Sequence, residues 1–356
     1  MIEEIVKKIN NGYRLNFDDG VTLYKIEDIN LLGSLAGKIN YKKNGDKVFY
    51  NRNLHLNHTN ICENRCKFCS FYRKIGDSDS YTIDTENLPK ILKKYQNNII
   101  DEIHIVGGLN PNLNFDYYLN LVHNAKLSVE GVKIKGFTAV EIDYFSKKFS
   151  LSIEEVLTSL MNAGLDSMPG GGAEIFSERA RNIICPDKIS GEKWLEIHKT
   201  AHQCGIKTNA TMLYGHIETV EERVDHLMKL RDIQDQTGGF QCFIPLSYQP
   251  YNNDIGKKYY TTGIEDLRQI AVSRIFLDNF KHIKSYWVMS TPELSQIALS
   301  YGANDIDGTI FEEKIGNAAG SQSGKGMGED QLLHLIRESG KKAVRRDTVY
   351  NELAYD

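Results

Sequence analysis

From about residue 54 to residue 310 the chain alternates between short apolar runs and stretches of helical periodicity. That alternation is the strongest limit on its fold. Apolar runs at 54–60, 102–106, 133–138, 165–169, 207–213, 241–246, 283–288 and 303–306 read as strands. Helical patterns at 88–95, 115–126, 153–163, 192–204, 221–236, 265–279 and 292–300 separate them. Eight strands alternating with interior helices predict an α/β fold, a parallel (β/α)₈ TIM-type barrel, with an open doubly wound sheet as the competing architecture. Helix punctuation agrees: Ser152 precedes a helix with Glu155 three residues on, and Gly164 follows where a C-cap glycine belongs. Thr291-Pro292 opens another helix.

A chain of 356 residues suits one barrel with extensions. The expected organisation is an N-terminal helical and hairpin preamble over 1–50, the barrel over 51–310 and a C-terminal helical extension over 311–356. Asn44-Gly45 is the hairpin signal in the preamble. A net charge of -4 provides no basic field, so no nucleic-acid partner is expected. No apolar run approaches the roughly eighteen residues of a membrane span. The charged, amphipathic N-terminus is unlike a secretion signal, so a cytoplasmic protein without a membrane partner is expected.

The residues that carry chemistry are Cys62, Cys66 and Cys69, three of the six cysteines, gathered within eight positions. Cys185, Cys204 and Cys242 are scattered singly and read as small buried hydrophobes. Three thiolates on one loop suit an iron–sulfur cluster with one iron left open to an exogenous chelating group. The alternative is a zinc site completed by His55 or His58, as in a non-enzymatic zinc-binding module. Because the loop follows the first barrel strand, it lies at the end of the barrel where active sites are built. Asp305 and Asp307 alone are too few ligands to argue for a divalent cation.

The pattern C-x₃-C-x₂-C with Phe68 before its last cysteine resembles the radical S-adenosylmethionine (SAM) enzymes. The runs 57–62, 107–111, 137–142, 169–175, 209–218 and 237–240 extend the similarity over nearly the whole chain to the futalosine-pathway enzymes of menaquinone biosynthesis. The resemblance implies a [4Fe–4S] cluster on the three cysteines and SAM on its open iron. It also implies a low-potential flavodoxin or ferredoxin as electron donor. Phe137-Thr-Ala-Val-Glu141 and Asn209-Ala-Thr-Met-Leu-Tyr-Gly-His216 favour the branch that adds the adenosyl radical to an enolpyruvyl benzoate ether. The other branch abstracts hydrogen and cyclises a futalosine derivative.

On this reading Phe68, Gly107, Gly108, Glu141, Gly171, Gly172, Glu174 and Asn209 contact the cofactor. Gly107-Gly108 admits the methionine amino group, Glu141 accepts from ribose hydroxyls, and the glycine run 170–172 lets a ligand press on the backbone. Along 207–213, Asn209 and Thr211 should share a face, with Tyr214, His216 and Glu218 gathered near the rim. His216 and Glu218 are the acid–base candidates. Arg179, His216 and Gln249 are candidate partners for the two substrate carboxylates, because an unpaired desolvated carboxylate costs several kcal/mol.

Overall fold

The computed structural model describes residues 2–95, 100–256, 259–321 and 326–355. Its strands are β1 (Lys47–Asn51), β2 (Asn53–Leu56), β3 (Glu102–Ile105), β4 (Lys133–Gly136), β5 (Ser167–Met168), β6 (Lys207–Tyr214), β7 (Phe240–Ser247), β8 (His282–Ile283), β9 (Asp305–Gly308), β10 (Lys342–Arg346) and β11 (Glu352–Tyr355). Strands β2 to β8 pair in sequence order, all parallel, and form the curved wall of a barrel. The predicted eighth strand is β9, and it closes the wall by isolated bridges. Lys284 beyond β8 bridges Asp305, and Leu54 of β2 bridges Phe311 beyond β9. The backbone N–H of His55 donates to Phe311 at 2.9 Å, and that of Phe311 to Asn53 at 3.1 Å.

β9 also belongs to a second sheet of order β11-β10-β1-β9, which ties residues before the barrel to residues after it. Three helices, Ile2–Asn10, Phe17–Lys25 and Ile29–Asn44, precede β1. The hairpin expected at Asn44-Gly45 does not form. Gly45, at φ 60°, caps the third helix, and the chain then enters β1, which pairs in parallel with β10 and β9. The helix over Ile153–Ala163 has the expected reciprocal Ser152/Glu155 cap and ends at Gly164 with φ 116°.

Two departures from the sequence pattern affect the site. A helix over Ala139–Phe149 begins where a strand end was expected, because Thr138 and Glu141 form a capping box. The run expected as strand 283–288 leaves the sheet after Ile283, and Trp287–Ser290 is helical. Trp287 is fully buried there, with its indole N–H donating to Gly308 O at 3.0 Å, so its aromatic bulk serves helix-to-wall packing rather than a strand.

Strand β6 sorts its side chains by the two-residue period of a strand. Ala210, Met212 and Tyr214 join the core outside the wall, while Asn209, Thr211 and Leu213 line the interior. Tyr214 therefore faces away from the barrel interior, and its hydroxyl donates to Asp266 at 2.6 Å.

Candidate active site

Inside the barrel is a cavity of about 340 Å³, lined at one end by Cys62, Cys66, Phe68 and Cys69. The loop that carries them is held by neighbouring backbone rather than by a core of its own. Cys62 N–H donates to Arg73 O at 3.1 Å, Glu63 N–H to Leu109 O at 3.0 Å and Cys69 N–H to Cys66 O at 3.0 Å. Lys67 is fixed from both sides, its N–H on Ile184 O and its C=O receiving Asp254 N–H.

Burial pushes the Cys66 thiol up to about 12, although the Lys188 ammonium opposes the shift. Burial also raises Cys62, against the N–H groups of Leu109 and Asn64. Burial raises Cys185 and Cys242 in the same way, so it is the grouping of the three thiols on one loop that singles them out. Among the described residues no three His, Cys, Asp or Glu side chains converge on one point as a single ion requires. His55 and His58 do not join the thiols: His55 faces His104, and His58 lies against Gly107 within a ring of Tyr117, Tyr118 and Phe137. Three thiols around a shared cavity, with a lysine ammonium nearby, fit a cluster spanning several ångströms better than one zinc ion.

The glycines have a specific geometric reason. A Cβ on Gly108 would lie 2.1 Å from Ile61 O and 3.0 Å from Cys62 Cβ, and one on Gly107 would lie 2.5 Å from His58 Nε2. The bareness of Gly108 admits the cysteine loop and that of Gly107 the His58 ring, so the end of β3 serves as the loop's seat. Gly170 approaches the backbone of β6, its would-be Cβ 2.7 Å from Asn209 O, and Gly172, at φ 85°, meets Val140. Arg181, buried behind this run, donates to the carbonyls of Ala173 at 2.6 Å and Ile175 at 3.2 Å, while Trp194 Nε1 donates to Gly171 O at 3.1 Å. Gly171, Gly172 and Glu174 line the cavity, as do Gly107, Gly108, Glu141, Asn209 and Gln249.

Glu141 is 2% exposed. Its Oε2 accepts from Thr138 N at 2.7 Å and Thr138 Oγ1 at 2.9 Å, and its Oε1 from Gly107 N at 3.2 Å. It thus joins the start of one helix to the end of β3. Glu174 meets Lys188 at 2.5 Å, and the same ammonium lies 5.0 Å from the Phe68 ring centroid. Gln249 donates to Met289 O at 3.0 Å and Ser247 O at 3.3 Å.

Three expected site residues lie elsewhere. Arg179 is half exposed and pairs with Glu222 at 2.7 Å, outside the cavity. His216 and the side chain of Glu218 are buried but do not line it. His216 Nε2 is 3.0 Å from Leu213 O and its Nδ1 is 3.1 Å from Glu218. Glu218 accepts from the N–H groups of Gly215 and His216 and pairs with Arg223 at 2.6 Å. Burial lowers His216 against the pull of Glu218, whereas the Arg223 guanidinium outweighs burial and holds Glu218 below the usual carboxylate range. These contacts build a turn-stabilising network around the two side chains, outside the cavity.

The opposite end of the cavity is polar, and apart from His55 and Asp307 sequence reasoning missed it. His55, Glu102, His104, Lys135, Lys284, Asp307 and Glu313 line it. Lys135 pairs with Glu102 at 2.8 Å and Lys284 with Asp307 at 3.2 Å. The available signal was charge at alternate positions of apolar runs, as in Glu102-Ile-His104 and Lys133-Ile-Lys135.

Residues 56–230 match the Radical SAM superfamily, and residues 237–355 match the CofH/MqnC C-terminal region. An aminodeoxyfutalosine synthase from Thermus thermophilus is 47% identical over 98% of this chain and 95% of its own. The chain belongs to the radical SAM superfamily. A cyclic dehypoxanthine futalosine synthase from Halalkalibacterium halodurans is 38% identical over 98% of this radical SAM chain and 94% of its own. The crystal structure of methylornithine synthase superposes with a TM-score of 0.76 at 16% identity, covering 95% of this chain and 96% of that one, which shows the shared fold. A radical SAM enzyme uses a [4Fe–4S] cluster and SAM, and the thiol end of the cavity fits those groups. No helix among the described residues is long and apolar enough to cross a membrane.

Proposed function

We propose that this radical SAM enzyme is a transferase that joins the adenosyl group of SAM to 3-[(1-carboxyvinyl)oxy]benzoate. Aryl migration and loss of the carboxylate then give 6-amino-6-deoxyfutalosine in menaquinone biosynthesis. The observation that carries this reading is the identity of 47% to an aminodeoxyfutalosine synthase, against 38% to a cyclic dehypoxanthine futalosine synthase, each over 98% of this chain.

When bound, the cluster and SAM supply a 5′-adenosyl radical. In our reading Cys62, Cys66 and Cys69 hold the cluster. Gly107, Gly108, Glu141, Gly171, Gly172 and Glu174 shape the SAM end, with Glu141 acting through the Gly107 N–H that it fixes. Val106, Leu213, Ile244, Leu246 and Met289 supply apolar wall between the two ends of the cavity and limit water around the reacting carbon. Lys188 offsets part of the negative charge that three thiolates bring into a buried site. A low-potential flavodoxin or ferredoxin supplies the electron, and the reaction runs in the cytoplasm.

The test is the fate of the adenosyl group. Reduced, cluster-loaded enzyme is given SAM labelled in adenosine and the enol ether. Label in the product, with methionine released and little 5′-deoxyadenosine, supports the synthase. Stoichiometric 5′-deoxyadenosine with a cyclised futalosine derivative would assign the cyclase instead. Stoichiometric zinc and no iron after anaerobic reconstitution would remove the radical reading altogether.

A further inference from the structure

At the polar end of the cavity the carboxylates have partners, whereas other buried polar groups do not. Glu313 accepts from the backbone N–H groups of Ile315, Gly316 and Asn317 at 2.9–3.0 Å. Asp305 receives Arg346 Nε and Tyr350 OH, both at 2.7 Å. Asp307 receives Asn53 Nδ2 at 3.1 Å and lies 3.2 Å from the Lys284 ammonium. Glu102 holds Lys135 and Thr348.

Against these, Lys284 is 1% exposed and has two carboxylates beside it, at 3.2 and 3.7 Å, although it carries three N–H bonds. Asn209, 2% exposed, has a buried amide oxygen with no partner, and His104 has a buried Nε2 with none. All three side chains line the cavity. His104 Nδ1 is 3.4 Å from His55 Nε2. Burial lowers both imidazoles, and in the tautomer in which His55 Nε2 donates, His104 Nε2 is left as an N–H. Turned over by a ligand that accepts, the Asn209 amide would present its NH₂ where the unpartnered oxygen stands.

Buried polar groups with bonding capacity to spare in a cavity of ligand size mark where a polar ligand group belongs. We propose that Lys284, His104 and Asn209 form a carboxylate pocket at the inner end of the cavity, which receives the aryl carboxylate of the substrate. This rests on the proposed substrate class. The pocket lies at the end of the cavity away from the cysteines, so an acid anchored there directs its vinyl group towards them. Lys284 supplies the charge, and it shares Asp305 with Arg346 and Tyr350, which hold the carboxylate's other oxygen. Asn209 thereby passes from the cofactor set of the sequence reading to the substrate set.

The test uses 3-hydroxybenzoate and its uncharged analogue 3-hydroxybenzamide, measured by calorimetry on cluster-loaded enzyme with SAM. The acid is expected to bind at least about tenfold more tightly than the amide, since a site built for a charged acceptor rejects an analogue lacking it. Asn209→Leu and the charge-balanced double variant Lys284→Met/Asp307→Asn are expected to bring the acid down to the level of the amide, with iron content and SAM affinity retained. Equal binding of acid and amide to the parent enzyme overturns the pocket, as does undiminished acid binding in both variants. Loss of SAM affinity in Asn209→Leu returns that residue to the cofactor and overturns its assignment here. Should the double variant fail to load a cluster, the acid-to-amide ratio of the parent and Asn209→Leu decide. If the acid binds as expected but the enol ether yields no adenosylated product, the pocket stands and the proposed reaction falls.

Discussion

Gly108→Ala puts the seat of the cysteine loop under direct strain. The added methyl would sit 2.1 Å from Ile61 O, 2.7 Å from Ile61 C and 3.0 Å from Cys62 Cβ, where ordinary contact starts at 3.4 Å. The obstacle is backbone, so no rotamer change relieves it, and the loop must withdraw by roughly 1.3 Å, the difference between 3.4 and 2.1 Å. The retreat is resisted on both sides, because Gly108 N–H donates to Thr59 O at 2.9 Å and Glu63 N–H to Leu109 O at 3.0 Å. Overpacking of this kind costs about 1–3 kcal/mol. The functional cost is greater, since metal ligands tolerate displacements of only about 0.2 Å. Iron and sulfide per chain after anaerobic reconstitution should fall by half or more, while the protein still unfolds cooperatively at a somewhat lower temperature. Gly263→Ala is the control, because its methyl would meet only Leu294, at 3.5 Å, and should change stability by less than about 0.5 kcal/mol. Parental iron content and SAM affinity in Gly108→Ala would refute the argument that this glycine exists to admit the loop.

Glu141→Ala removes the acceptor of Gly107 and Thr138 N–H; SAM binding should weaken by about 1–3 kcal/mol in equilibrium dialysis, with the cluster retained. Arg179→Ala should leave kcat/KM for the enol ether within about twofold, since the guanidinium pairs with Glu222 on the surface. His216→Ala should lower the unfolding midpoint by breaking the buried contacts with Leu213 and Glu218, at about 1–3 kcal/mol, without changing the pH profile of turnover. Burial depresses His202 to about 4 and His226 to about 3 from an ordinary 6.5. Their folded forms release protons that the unfolded chain holds, so their stabilising effect is complete above pH 6.5 and fades as pH falls towards those values. Urea titrations between pH 6.5 and 4.5 should show it, and His226→Gln should flatten the slope by about 1.4 kcal/mol per pH unit.

The barrel was legible because both periods were clean. Apolar runs alternated with capped helices, and Ser152, Glu155 and Gly164 marked one helix at both ends. The cysteine loop was legible because spacing and strand-end position coincided. The Ala139–Phe149 helix was missed because it follows the apolar run 133–138 directly, with no intervening turn residues, although Thr138 and Glu141 carry a capping-box spacing. His216 and Glu218 looked catalytic because they are ionisable and follow a strand. Only packing reveals that Arg223, from the next helix, and Leu213 O complete their contacts. The polar end of the cavity was hidden for a related reason. Its side chains come one or two at a time from β2, β3, β4, β6 and the segments around β8 and β9, and no local pattern gathers them.

The segment after the barrel is what makes that polar end affordable to the fold. Asp305 and Arg346 are both fully buried, a placement that costs several kcal/mol per ion unless geometry and further hydrogen bonds compensate. They compensate only together: β9 supplies the carboxylate, β10 the guanidinium at 2.7 Å, and Tyr350 a second donor whose ring stacks on His282 at 4.1 Å. Thr348 in the same segment donates to Glu102, the partner of Lys135. Residues 346–350 therefore close the base of the barrel and set the charge balance of the cavity floor above it. This couples the CofH/MqnC C-terminal region, matched over 237–355, to ligand binding at a site it shares with the radical SAM core. A chain cut before Lys342 loses Arg346 and Thr348 together, leaving Asp305 and Glu102 short of partners. The physical expectation is protonation or local opening of the floor, seen as weakened binding of 3-hydroxybenzoate while the three cysteines, supported from the other end of the barrel, still load iron. Unweakened acid binding in that truncated chain would show that the floor keeps its charge balance without the C-terminal segment.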